Sequence, residues 1–223
     1  MVVQGDPQVA GVLTTFFAGL NPETTAEIAA TAHSRICRAG EVLYSADGPP
    51  KVGVVASGLL RTVVPIPDGR RATLAYLGPG SVYGLPTLFH TVPLRVEVVR
   101  TAGVIELDPP AIERAARKSA ELGWLISRQL AGAVLRVPNL VEEFGFKTVR
   151  QRVALHLLAL SLPGSHDGLL VAHITRQDLA ESVGSAREVV SRCLRSLSDA
   201  RLITIASATI TVVDPDGLRA AGA

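Results

Sequence analysis

Residues 174–213 read ITRQDLAESVGSAREVVSRCLRSLSDARLITIASATITVV. The pattern predicts a helix, a tight turn at Gly184, a second helix and a small hairpin. Thr175 can cap the first helix in a T-x-x-D pattern with Asp178, and Gly184 stands where a short interhelical turn needs positive φ. In the second helix, Arg187, Glu188, Ser191, Arg192 and Arg195 fall within one arc of about 140°. Val189, Val190, Cys193, Leu194 and Leu197 fill the opposite arc and can bury against Leu179, Ala180 and Val183 of the first helix. The charged face is then presented to solvent. Arginine pairs bidentately with guanine O6 and N7, and glutamate accepts from cytosine N4, so such a helix can read a major groove. A solvated amphipathic helix would show the same two faces. The cap, the glycine and the strand pair Leu202–Ile205 and Thr209–Val213 favour a winged helix-turn-helix.

Composition narrows the rest. The 223 residues are 48% hydrophobic and 19% charged, enough for one large core or two modest ones. A net charge of +2 gives no global basic field, so nucleic-acid contact must come from a local patch. Cys37 and Cys193 show neither a C-x-x-C nor metal-ligand spacing, and read as small buried hydrophobes. No apolar run has the length of a membrane span and no signal peptide is evident, so a cytoplasmic chain without membrane contact is expected. No Ser-His-Asp set, P-loop, catalytic carboxylate pair or metal spacing stands out, and no enzyme is expected.

Along the chain the character changes twice. Residues 8–32 suggest one or two short helices, with Asn21 capping one that starts at Pro22. From about 36 to 107 the sequence breaks into short β runs: Glu41–Ser45, Val52–Ala56, Leu59–Val64, Ala72–Leu77 and Val96–Leu107. Turn signals such as Asp47-Gly48-Pro49, Ser57-Gly58 and Gly78-Pro79-Gly80 separate them. This spacing predicts an antiparallel β-barrel or jelly roll. Over residues 119–146, Leu122, Leu125, Ile126, Leu130, Val134, Val137 and Val141 recur at three- and four-residue steps, a seam that a lone helix cannot bury. Pro138 should interrupt that helix. A further helix spans 147–161. The expected fold is α+β, with an effector domain at 1–118, a long dimerisation helix at 119–146 and a DNA-binding domain at 147–223.

A barrel, a long striped helix and a winged helix-turn-helix in this order resemble the Crp/Fnr family of bacterial transcription regulators. Residues 174–197, ITRQDLAESVGSAREVVSRCLRSL, are very similar to that family's DNA-binding signature. Residues 40–84, GEVLYSADGPPKVGVVASGLLRTVVPIPDGRRATLAYLGPGSVYG, have the glycine rhythm of its cyclic-nucleotide-binding fold. The resemblance implies a homodimer on double-stranded DNA, with RNA polymerase as a further partner. It places the base readers on Arg187, Glu188 and Arg192, with Ser191 beside them, and favours a TGTGA-like over a TTGAT half-site. Lys147, Arg150, Arg152, Thr175, Arg176 and Arg195 are candidates for phosphate contacts, which position without specifying.

The implied effector pocket comprises Gly80, Tyr83, Gly84, Leu85, Pro86, Arg95, Val137 and Leu140. It departs from the cyclic-AMP pattern. Leu85 replaces an acidic ribose ligand, Val96 replaces the small hydroxyl residue after the phosphate arginine, and Val137 and Pro138 replace hydroxyls facing the base. Each missing hydrogen bond costs roughly 1–3 kcal/mol, against about 8 kcal/mol for a micromolar ligand. Cyclic AMP is therefore disfavoured. A more apolar effector and a permanently active state both fit. Haem would draw on His33, His90 and Cys37, but a lone histidine is more often a surface or core residue, so haem is not expected. Two alternatives stand beside this reading: a divergent pocket that still binds cyclic AMP or cyclic GMP, and a protein-interaction module that does not bind DNA.

Overall fold

The computed structural model describes residues 11, 16–66, 71–163 and 169–223. They form two compact units, one made of Met1–Val64 with Leu74–Val137 and the other of Pro65–Thr73 with Pro138–Ala223.

In the first unit, helix α1 (Pro22–Ala29) starts as its sequence dictates. Asn21 Oδ1 accepts from the Thr24 amide at 2.7 Å, and Pro22 stands in the first turn, where a missing N–H costs nothing. The rest of the helical region expected before it lies largely outside the described residues. Six strands follow along the chain: β1 (His33–Cys37), β2 (Val42–Tyr44), β3 (Val52–Pro65), β4 (Arg71–Leu77), β5 (Val82–Tyr83) and β6 (Arg95–Leu107), with Pro65 of β3 and Arg71–Thr73 of β4 counted in the second unit. They pair in the order β1-β6-β3-β4, with β2 on β6 and β5 on β3; every register recorded is antiparallel.

Two expected runs, Val52–Ala56 and Leu59–Val64, are one strand. Ser57-Gly58 is a bulge inside β3, where the register against β6 slips repeatedly between Val55 and Leu60. Strand β1 escaped the sequence reading because only Cys37 is buried, so the strand carries no alternation. Two clusters form the core. One gathers Cys37, Leu43, Tyr44, Val55, Leu60, Tyr83, Val96, Val98, Ala102 and Val104. The other joins Val52, Val54, Leu85, Ile105 and Leu107 to helices α2 (Pro109–Lys118) and α3 (Ala120–Val134) through Ile112, Ala115, Leu122, Leu125 and Ile126.

The apolar seam of 119–146 is therefore divided. Leu122, Leu125 and Ile126 are buried, and Leu130 packs against their cluster, so this half faces its own β-sheet domain. Trp124, Val134, Leu135, Val137 and Val141 stay exposed. Periodicity marks a stripe but not the surface that covers it. The helix also breaks, at Leu135–Arg136, and resumes as α4 (Val137–Gly145). Pro138 then falls in the first turn of the new helix, where proline is tolerated.

The second unit continues with α5 (Val149–Leu160), opened by a capping box between Thr148 and Gln151. After it come β7 (Leu162–Pro163), β8 (Leu170–His173), α6 (Arg176–Ser182), α7 (Arg187–Asp199), β9 (Ile203–Ala206), β10 (Thr209–Val212) and α8 (Pro215–Gly222). The four strands pair as β7-β8-β10-β9. Helix α8 packs on α5 and was not expected, although Asp214 caps it by accepting from the Gly217 amide at 2.9 Å.

Candidate nucleic-acid interface

Helix α6 is fixed at its start by Thr175, whose Oγ1 accepts from the Asp178 amide at 3.1 Å and donates to Asp178 Oδ2 at 2.6 Å. Leu179, Ala180 and Val183 are buried, and so are Val190, Leu194 and Leu197 of α7. Gly184 joins the two helices at φ +65°, as the turn requires. At the far end of α7, Arg201 takes the left-handed conformation usually left to glycine, and the Leu202 amide donates to the Leu197 carbonyl at 3.1 Å. This close turns the chain directly into β9.

With one face of α7 buried, Arg187, Glu188, Arg192 and Arg195 are exposed and Ser191 half-buried. Strands β9 and β10 pair from Ile203↔Val212 to Ala206↔Thr209, which leaves Ser207-Ala208 as a two-residue wing tip with Ser207 at φ +58°. Thr175, Arg176, Gln177, Arg187, Ser207 and Ala208 surround a hollow of about 330 Å³. A second hollow of about 370 Å³ is lined by Arg176, Arg187, Ser191 and Arg195 among others. Thr175 thus lines the first hollow, Ser191 and Arg195 the second, and Arg176 and Arg187 both, with Glu188 and Arg192 on the same helix as Arg187. Gln177 and Ser207 were missed by the sequence reading. A tip residue carries no signal until the hairpin register is known.

The other three basic candidates are engaged within the unit. Lys147 Nζ lies 3.1 Å from Glu142 Oε1 and donates to the Ala223 carbonyl at 3.0 Å. Arg150 Nε donates to Ser196 Oγ at 3.4 Å. Arg152 donates to the carbonyls of Val183 at 3.1 Å and Lys147 at 2.9 Å, and its guanidinium lies 5.5 Å from the Phe144 ring centre. Burial pulls the Arg152 pKa below its ordinary value, against the opposing charge of Glu143. Burial also pushes the Cys193 thiol up, with Arg150 and Arg192 opposing.

The expected effector residues differ in their surroundings. Tyr83 belongs to one core cluster and Leu85 to the other, while Pro86 is exposed. Burial raises the Tyr83 pKa well above its ordinary value. Gly80 and Gly84 both have positive φ, and a Cβ on Gly84 would collide with the Lys51 carbonyl. Both glycines therefore shape the backbone. Val137 is exposed and Leu140 half-buried on α4. Arg95 lies beside an acid that the sequence reading did not weigh: its Nε is 3.5 Å from Glu97 Oε1, and Arg61 binds Glu97 Oε2 through Nε at 3.0 Å and Nη2 at 2.8 Å.

Comparison with known proteins agrees with both halves. Residues 34–119 match the cyclic nucleotide-binding domain and residues 151–221 the Crp-like helix-turn-helix domain. A CRP-like cAMP-activated global transcriptional regulator from Mycobacterium tuberculosis is 25% identical over 210 residues, covering 91% of this chain and 93% of its own length. The cyclic AMP receptor protein of Thermus thermophilus is 29% identical over 203 residues, covering 88% and 91%. A Crp/Fnr-family regulator from Eubacterium rectale superposes with a TM-score of 0.81 at 22% identity, over 93% of this chain and 99% of that one. The chain is a DNA-binding transcription regulator, and it belongs to the Crp/Fnr family.

Proposed function

We propose that the protein binds a near-palindromic DNA site as a homodimer and is not controlled by cyclic AMP at physiological strength. Arg187, Glu188, Ser191 and Arg192 read the bases, and Thr175, Arg176 and Arg195 hold the phosphates. The observation that carries this is the exposed charged face of α7 above the buried Val190, Leu194 and Leu197. Half-sites about one helical turn apart follow from two-fold symmetry. The surface for self-association is the exposed row Trp124, Val134, Leu135 and Val137 of the first unit, since apolar side chains this exposed gain most from a partner. A gel shift on random duplex DNA separates this reading from a module that only binds protein, which would leave the DNA unshifted.

Against cyclic AMP stand Leu85, buried in the core with no acceptor, and Arg95, already beside Glu97. A cyclic-nucleotide response is the second reading, favoured by the domain match over residues 34–119. Calorimetry decides between them. A low-micromolar cyclic-AMP Kd abolished by Arg95→Ala establishes the second reading, and no measurable binding establishes the first.

A further inference from the structure

Positions 95 and 97 share one face of β6, and Arg61 is the cross-strand partner of Glu97 on β3. The three side chains differ sharply in exposure. Glu97 retains 9% of its side-chain surface and Arg61 13%, whereas Arg95 retains 41%. A buried carboxylate is thus held by a two-bond fork from Arg61 while its other oxygen faces Arg95. An anion reaching the exposed end of Arg95 gains that arginine but also meets the fixed negative charge behind it. The next residue offers no compensation, because Val96 is fully buried in the cluster on the opposite face.

We infer that Glu97 sets the charge selectivity of the Arg95 site. Its carboxylate is a built-in counter-ion that competes with a singly charged phosphodiester for Arg95 and shifts the site's preference toward uncharged ligands. This rests on the reading that cyclic AMP is not the effector. A purely structural strut between β3 and β6 would show the same geometry, but only a selectivity role predicts that anion binding appears when the charge is removed.

The test titrates cyclic AMP into the full-length protein, E97Q and E97Q/R95A by calorimetry, with thermal melting to confirm folding. E97Q keeps an acceptor for Arg61 and removes the charge. The expected result is binding at least about tenfold tighter in E97Q than in the unsubstituted protein, lost again in E97Q/R95A. A folded E97Q that binds no tighter overturns the inference and leaves the underlying reading intact. Low-micromolar binding by the unsubstituted protein overturns that reading itself, and the inference with it. If E97Q fails to fold, E97M, which removes the charge at similar volume, is titrated in its place, and the same gain or its absence decides.

Discussion

Arg152 Nε, on α5, donates a 3.1 Å hydrogen bond to the carbonyl of Val183, the residue that ends α6 immediately before the Gly184 turn. The same guanidinium reaches the Lys147 carbonyl, so one planar fork ties the entry of α5 to the helix-turn-helix corner. Arginine is suited to this because its donors are fixed in a plane.

Arg152→Ala is expected to lower the stability of the DNA-binding unit by about 1–3 kcal/mol, because the carbonyls it serves lose their donor. Arg152→Lys should recover only part of this. Thermal melting checks both. An unchanged melting temperature with a DNA-binding salt slope reduced by about one would instead make Arg152 a phosphate contact.

Arg176 and Arg195 should behave in the opposite way. Both line the hollow beside Arg187. Replacing either with alanine should leave melting within about 0.5 kcal/mol of the unsubstituted protein. It should weaken binding about equally on all sequences and flatten the salt dependence by about one unit. A change in preferred sequence would make the affected arginine a base reader.

Self-association is expected to depend on the exposed row, not on the whole seam. Val134→Glu and Leu135→Glu would bury an unpaired charge in a dimer and should yield folded monomers with weak operator binding. Leu130→Glu should instead damage the fold of the first unit, because Leu130 packs against its core. Sedimentation and melting of the three variants distinguish these outcomes. Intact dimers for Val134→Glu and Leu135→Glu would place the interface elsewhere.

The parts of this protein legible in its sequence are those set by local rules. Asn21, Thr175 and Gly184 each do what their backbone chemistry requires, and the two-faced pattern of α7 survives because the helix is packed on one side only. What stayed hidden depends on tertiary pairing. Gly58 has the signature of a turn but makes a bulge, since only the β6 register distinguishes the two. Leu130 and Val134 belong to one stripe yet meet different surroundings. Arg61 and Glu97 lie 36 residues apart and become a pair only when β3 and β6 align. Arg152 looked like the other surface cations until its carbonyl partners were placed.

Selection from random duplex DNA, run in parallel on the unsubstituted protein and Arg187→Ala, tests the reading face of α7 most directly. The unsubstituted protein should enrich a near-palindrome with half-sites about one helical turn apart. Arg187→Ala should lose about 1–3 kcal/mol of affinity and relax preference at one guanine in each half-site, with the remaining positions unchanged. Enrichment of the same sequence by both proteins with equal affinity would contradict the assignment of Arg187, Glu188 and Arg192 as the base-reading surface.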